Sequence, residues 1–472
     1  MGIRRFSILA LVLMGGRIVS VGQNPPVQTP DADRSTPAPA LTGLVVIDAT
    51  ADAGDTSSDL PQIPSLLGGK GASLAFPSES ERSNYLRGGL NVGATYDDNV
   101  LLAPGNGVGN TTYSVFPNIA IEQTLPRLRW SLGYAGGLTV NQRLSNRNQG
   151  SHALNFESQF RLSPHVNLRI AEDFLLTSGV FDATSGAGGV VGAGGPNSSL
   201  ITPLSQQRSS STVVETNYHF ALKDVLGASG SFYDLHFNDV PAGVTLNNTR
   251  AITGSAFWLH ELFRHDWAGV SYRFERLTFN PSGAETRVHS FMVVNTLNLP
   301  GRMTLSGFAG PEYSNNRGLV VSGGTGQASV FSDWSFAAGV EGGWQKERTS
   351  LAAGYSRRVN DGGGVLGPVH SQSIHADLRY RLATGWAAAL GGSYGRNSSL
   401  TVTSATSATS VNVTSVGTSL ERAVGKSLGF RVGYSHDFQQ QSGSSDQNQD
   451  FDAHRNRFFV TLSYQWARPL GR

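Results

Sequence analysis

From Ser83 onward the chain alternates apolar and polar residues with a period of two. In YLRGGLNVGATY, Leu86, Leu90, Val92, Ala94 and Tyr96 share one face, while Arg87, Asn91 and Thr95 share the other. RLRWSLGYAGGLTV sets Leu128, Trp130, Leu132, Tyr134, Leu138 and Val140 against Arg127, Arg129, Ser131 and Thr139. WSFAAGVEGGW puts Trp334, Phe336, Ala338, Val340 and Trp344 opposite Asp333, Ser335 and Glu341. SIHADLRYRL puts Ile374, Ala376, Leu378, Tyr380 and Leu382 opposite His375, Asp377, Arg379 and Arg381. The last such stretch, FFVTLSYQW, carries Phe458, Val460, Leu462, Tyr464 and Trp466 on one side. A period of two predicts β-strands throughout.

These strands run to roughly 10–14 residues, whereas strands of globular proteins centre on about 5–6. Their polar faces carry arginines and carboxylates in mid-strand, and aromatics gather near the ends of the apolar faces. A soluble sandwich hides its apolar face. A membrane barrel shows that face to lipid, encloses the polar one and places aromatics at the two interfaces. Strands of about 9–11 tilted residues cross a bilayer, and only closure leaves no unpaired edge in hydrocarbon. A soluble β-propeller would need shorter strands and a repeat of about 40–50 residues, and no such repeat is found.

The joins point the same way. Short ones lie at Leu125-Pro126, Ser163 to His165, Lys223-Asp224, Phe263 to Asp266, Pro300-Gly301, Lys346-Glu347, Ala383 to Gly385 and Gly425-Lys426. Between them fall long joins rich in Gly, Ser and Asn: Asp98 to Asn110, Asn141 to Gly150, Ser178 to Gln207, Asn238 to Asn248, Asn280 to Ala284, Asn315 to Gln327, Asn360 to Pro368, Arg396 to Thr409 and Gln439 to Ala453. Strict alternation of short turns and long loops is the habit of outer-membrane barrels. The count predicts an all-β, transmembrane, antiparallel up-and-down barrel of about 18 strands. It falls to 16 if strands merge at Val225 to Phe237 or Arg287 to Leu299, where the alternation is poor. An even number places both termini on one side, expected to be the periplasm.

The N-terminus differs. MGIRRFSILALVLMGGRIVSVGQ has Arg4 and Arg5, an apolar run from Phe6 to Met14, then small residues. That layout predicts a signal peptide over 1–22. Residues 23–82, opening with NPPVQTPDADRSTPAPA, cannot pack a core and are expected to be a Pro-rich periplasmic linker. Its apolar islands LTGLVVIDA and LPQIPSLLGG could instead dock or plug. The barrel is expected over 83–472.

Composition narrows the chemistry. The 472 residues are 15% charged with a net charge of +2, which gives no sign of a nucleic-acid partner. There is no cysteine, so disulfides, thiolate metal sites and a lipoprotein anchor are excluded. Only four lysines occur (Lys70, Lys223, Lys346, Lys426), three of them at short turns, against 32 arginines. The histidines His152, His219, His260, His289 and His375 fall in different strands, and the adjacent His289 and Ser290 must point to opposite faces. No nucleophile–base constellation forms, so no enzyme is expected. Asp97-Asp98-Asn99 has the oxygens for calcium but fits an Asx-type turn better. GAGGVVGAGG lacks the strand-to-helix context of a nucleotide loop, and no cofactor is expected.

A barrel this wide can hold an aqueous channel. By parity the inner face carries Arg87, Arg129, Glu157, Arg161, Arg169, Asp173, Arg273, Glu275, Asp333, Glu341, Arg379, Arg381, Arg431 and Arg457. Nine arginines against five carboxylates would mildly favour anions or acidic sugars. The alternative is that many of them pair across strands in structural networks. The loop Ser178 to Gln207 could fold inward as a constriction or remain at the surface.

The stretch YLRGGLNVGATYDDNV, a first strand closing on an acidic turn, resembles the opening of bacterial outer-membrane β-barrel proteins of the porin type. Some of these accompany exopolysaccharide and exosortase systems. FFVTLSYQW resembles the C-terminal strand that the barrel-assembly machinery reads, with Phe458, Val460, Leu462, Tyr464 and Trp466 as its signal. Here the chain continues to Arg472 rather than stopping on an aromatic. The resemblance implies residence in outer-membrane lipid and, loosely, transport. Three functions stay open. The first is a passive channel for small hydrophilic solutes or saccharides. The second is a structural or adhesive surface protein with a blocked lumen, and the third is the outer-membrane component of an exopolysaccharide export system.

Overall fold

The structure is a computed structural model that describes residues 84–470, except 103–106, 146–147, 178–204, 239–245, 264–265, 323–324, 365, 401–409, 426 and 443–450. The expected signal peptide and linker lie outside the described residues. So does nearly all of the loop proposed as a constriction.

Eighteen antiparallel strands form one sheet that closes on itself. In chain order they are β1 (Tyr85–Asp97), β2 (Asn110–Thr124), β3 (Leu128–Asn141), β4 (Gln149–Arg161), β5 (Val166–Thr177), β6 (Gln206–Ala221), β7 (Asp224–Asn238), β8 (Asn248–Phe263) and β9 (Asp266–Asn280). Then follow β10 (Glu285–Leu299), β11 (Met303–Ser322), β12 (Thr325–Lys346), β13 (Thr349–Gly362), β14 (Leu366–Ala383), β15 (Trp386–Ser399), β16 (Ser410–Val424), β17 (Leu428–Ser442) and β18 (Phe451–Pro469). Each pairs with its neighbours in sequence, and β1 pairs with β18. Among the described residues, closure leaves no strand at a sheet edge.

The closing seam is built for strength. β1 and β18 pair from Tyr85↔Pro469 to Asp97↔Arg457. At the short-turn end Leu470 N–H donates to Asn84 O at 2.8 Å. At the long-loop end the buried Arg455 guanidinium donates to Asp97 Oδ2, with Nε at 2.6 Å. Beside it, Asn456 donates its backbone N–H (2.7 Å) and side-chain amide (2.6 Å) to Asp98. Asn99 N–H turns back on Asp97 Oδ1 at 3.0 Å, an Asx-type turn. The acidic turn is therefore spent on closure, and no cluster of three or more metal-binding side chains exists among the described residues. Gly88 lies beneath Trp466, where a Cβ would collide with the indole.

Even positions of β18, including Phe458, Val460, Leu462, Tyr464 and Trp466, stand 39–56% exposed on the outer surface. Thr461 and Ser463 are buried on the inner one. The strand runs past Trp466 to Pro469, still paired with β1. Strand lengths reach from 12 residues in β5 to 22 in β12, longer than the alternation alone suggested.

The expected count of eighteen holds, because the segments Val225 to Phe237 and Arg287 to Leu299 are two separate strands, β7 and β10, and the alternative of sixteen falls. Their alternation is poor because each face mixes polar and apolar residues: Val225 and Phe237 share the inner face of β7 with Ser229 and Ser231, and Phe291 and Val293 share the outer face of β10 with Glu285 and Arg287. Two of the expected long joins are corrected. Asn315 to Gln327 is not a long loop, because β11 and β12 continue as a hairpin to Ser322↔Thr325. Asn360 to Pro368 is likewise mostly strand, with β13 reaching Gly362 and β14 resuming at Leu366.

Candidate functional site

The interior has two unlike halves. Along β7–β12 the inner face is apolar and packed. Val225, Phe257, Leu259, Trp267, Met292, Val294 and Ala337 form one buried cluster with Phe308 against it. Nearer the long-loop end Tyr233, Leu235, Phe237, Leu246, Ala251, Leu277, Phe279 and Ala284 form a second. Burying such side chains contributes about 1.5–3 kcal/mol each, so this wall is held shut by the same force that packs a soluble core.

Between the two clusters lies a band of buried charge. Arg273 donates to Glu275 at 2.7 Å, both side chains less than a tenth exposed. Ser290 donates to Glu312 Oε2 at 3.0 Å and Ser335 to Glu312 Oε1 at 3.3 Å. Arg273, Ser290, Met292, Phe308, Glu312, Ala337 and Arg358 line one small cavity. Arg358 also lies over the Phe308 ring at 5.7 Å, a cation–π contact.

Arg358 arrives there because β13 leaves the wall. β12 and β13 pair only up to Ala338↔Arg357. Beyond that point Val359 N–H donates to Glu312 Oε1 on β11 at 2.9 Å. The carboxylate takes the amide that a ladder would otherwise have satisfied. Val359 packs with Val288 of β10 and Leu400. At the tip, Asn247 N–H donates to Gly364 O at 2.7 Å, tying the turn to the segment before β8. Leu366 and Val369 pack with Leu102, Val411, Val413 and Ala453 on the opposite wall. The β13–β14 tip thus bridges the barrel at its long-loop end.

The other half, β1–β6 with β14–β18, has, below the apolar cluster at its long-loop end, a polar inner face with ion pairs of graded exposure. Arg87 meets Glu122 at 3.2 Å, with half of the arginine side chain exposed. Arg169 bridges Glu157 (2.8 Å) and Glu215 (3.0 Å). Glu421 bridges Arg379 (2.9 Å) and Arg431 (3.3 Å). Arg457 meets Asp437 at 2.9 Å, and Asp437 also accepts from Ser415 at 2.6 Å.

The fourteen side chains picked from the sequence stand opposite the exposed apolar positions of their strands, but not as one site. Arg273 and Glu275 are sealed in the packed half. Asp333 lies within 3.5 Å of His370 near the seam where β13 departs. Arg87, Glu157, Arg169, Arg379, Arg431 and Arg457 enter the networks above. Arg129 is placed across from Gln159, Arg161 across from Asn167, and Asp173 across from Asn155. Glu341 faces Ser306, and Arg381 faces Ala387. The sequence reading passed over Glu122, Glu215, Glu312, Asp361, Glu421 and Asp437, and among arginines Arg358 and Arg455. Most omissions are carboxylates, so the arginine excess of the inner face largely disappears. The parity that picked the fourteen also points Glu122, Glu215, Glu312, Glu421, Asp437 and Arg455 inward, so alternation could have found them; only their partners depend on the pairing register.

No protein-family model matches the sequence, and a search of the curated proteins finds no match. Among solved structures, the chain is similar to Pseudomonas aeruginosa OccK2 (OpdF) at 9% identity, covering 81% of this chain and 98% of that one with a TM-score of 0.41. Acinetobacter baumannii OccAB2 gives 10%, 81%, 98% and 0.41. The ferric citrate transporter FecA in its unliganded form gives 9%, 82%, 79% and 0.43. No residue of this chain is assigned from these likenesses.

Proposed function

We propose that the chain is an outer-membrane barrel that lets small hydrophilic solutes pass without catalysis. The observation that supports this is a closed barrel, apolar outside, whose β1–β6 and β14–β18 wall carries partly exposed charged side chains inside. An apolar exterior such as Leu90, Val92, Leu138, Val270, Val293, Leu390 and Leu462, all exposed, suits lipid and not water. The inner charges suit a wet path confined to one side of the lumen. Short turns would then face the periplasm, with 1–22 removed, 23–82 as a linker, and Phe458 to Trp466 presented to the assembly machinery.

Matched arginines and carboxylates suit a path with little preference between anions and cations. This replaces the mild anion preference expected from the sequence. The inward β13–β14 tip favours one second reading: a barrel blocked at rest, with function carried by the long loops.

Single-channel conductance of the refolded full chain in a planar bilayer separates the two. Steady steps with reversal potentials near zero in a salt gradient support the channel. Silence from a protein that has demonstrably inserted overturns it in favour of the blocked barrel.

A further inference from the structure

The outer surface of β6–β11 is layered in register, row above row. One row is apolar and aromatic: Leu226, Trp258, Val270 and Val293 stand side by side on β7–β10. Two rows nearer the long loops stands an aromatic row, Phe274, His289, Tyr313 and Trp334, on β9–β12. Its rings touch along the row, at centroid distances of 5.1, 6.4 and 5.1 Å. Aromatic side chains of this kind mark the boundary between hydrocarbon and headgroups.

Immediately above that boundary the surface becomes basic. Arg276 and Arg287 face each other across β9 and β10 in the next row. Arg250 and Arg317 stand one row higher, and Arg208 one row higher again. Two carboxylates hold four of them in place. Asp234 is shared by Arg208 (3.9 Å) and Arg250 (3.2 Å). Glu285 is shared by Arg276 (2.8 Å) and Arg287 (2.7 Å). Each shared carboxylate leaves one positive charge uncompensated, and Arg317 adds a third. The four paired arginines remain 40–61% exposed, while Asp234 and Glu285 are only 24% and 20% exposed. The carboxylates therefore orient the guanidinium groups from below, and the guanidinium edges face outward. Around the far side the corresponding row, Arg396, Asn412, Gln440 and Asp452, carries one charge of each sign.

We infer that this arginine belt binds the phosphate groups of an anionic lipid headgroup in the leaflet on the long-loop side. Guanidinium groups pair bidentately with phosphate oxygens. At headgroup depth each arginine contributes without the cost of burial in hydrocarbon. The inference rests on the reading that the barrel lies in a membrane. Glu172, on the same face, keeps its negative charge while accepting from the hydroxyls of Ser210 and Thr212, but it stands on β5 at the margin of the belt, three strands from Arg250 and four from Arg276.

The test uses the full chain refolded in uncharged detergent micelles, with bound lipid read by native mass spectrometry. The probes are a bisphosphorylated disaccharide lipid, the same lipid with its phosphates removed, and inorganic phosphate. The unaltered protein should prefer the phosphorylated lipid. The triple variant Arg250→Gln, Arg276→Gln, Arg287→Gln should bind it about a hundredfold more weakly. The variant Arg422→Gln, at the short-turn rim, should bind as the unaltered protein does. Because the triple variant strands Glu285 and leaves Asp234 only Arg208, the double variant Arg208→Gln, Arg317→Gln serves as a milder second test and should weaken binding about tenfold or more. Heat-modifiable gel migration confirms folding. Equal binding of both lipids, or unchanged binding by a folded triple variant, overturns the inference. Inorganic phosphate competing as strongly as the lipid overturns the lipid assignment. A chain that never inserts into vesicles overturns the membrane reading itself.

Discussion

Glu421 shows how one residue can tie stability to selectivity. Its carboxylate is almost fully buried and serves Arg379 and Arg431 together. Glu421→Gln removes the charge and keeps the volume, leaving two arginines without their counter-ion. Reversal potentials should move toward anions, because the balance of the inner wall is upset where it meets water. The same change should lower stability by about 1–3 kcal/mol, read by urea unfolding in detergent. An unchanged reversal potential in a conducting variant would place Glu421 away from the ion path. On the outer face the expected effect is different. Leu462→Arg sets a charge amid the apolar positions of β18 and should cost about 2–4 kcal/mol, with Leu462→Ala costing less. Equal effects of the two would count against a lipid-facing β18.

At the scale of elements, the β13–β14 tip decides how much of the lumen is filled. Its geometry depends on Gly364, which has φ +83° and whose absent Cβ would collide with the Phe237 ring. An L-residue there is strained in backbone and blocked in space. Gly364→Ala should therefore loosen the tip from Phe237 and Asn247, and conductance per channel should rise. A variant with unchanged conductance would show that the tip does not limit passage. The element also explains the gap in pairing between β12 and β13. That gap lets β11 and β12 continue outward as a hairpin while β13 turns in.

For the molecule as a whole, closure requires only that each strand find its neighbours and that β18 find β1. The described barrel contains every strand needed for this between Tyr85 and Pro469. Deleting residues 23–82 from the chain should leave insertion and conductance intact if the protein is a simple pore. Loss of conductance in an inserted deletion variant would move attention to a plug or to a partner in an export system.

The lateral pattern of single strands was legible in the sequence. Alternation depends only on which of two faces each residue takes, and the outer face must be apolar across the span that meets hydrocarbon. Eighteen strands, the short joins and the aromatic face of Phe458 to Trp466 could therefore be read directly, whereas two of the expected long joins proved to be mostly strand. Where each face mixes polar and apolar residues, as in β7 and β10, the period-two signal faded and sixteen strands became possible. The inner wall showed only its parity. Which arginine meets which carboxylate depends on register between strands far apart in the chain, as with Asp97 and Arg455. Glu312 taking an amide of β13, and the tip of β13–β14 crossing to Asn247, are contacts across the barrel that no local pattern encodes. The sequence by itself determined a barrel with two faces. Tertiary structure decided that half of its interior is packed shut and that five arginines from five strands between β6 and β11 form one belt, because both follow from distances across the closed sheet.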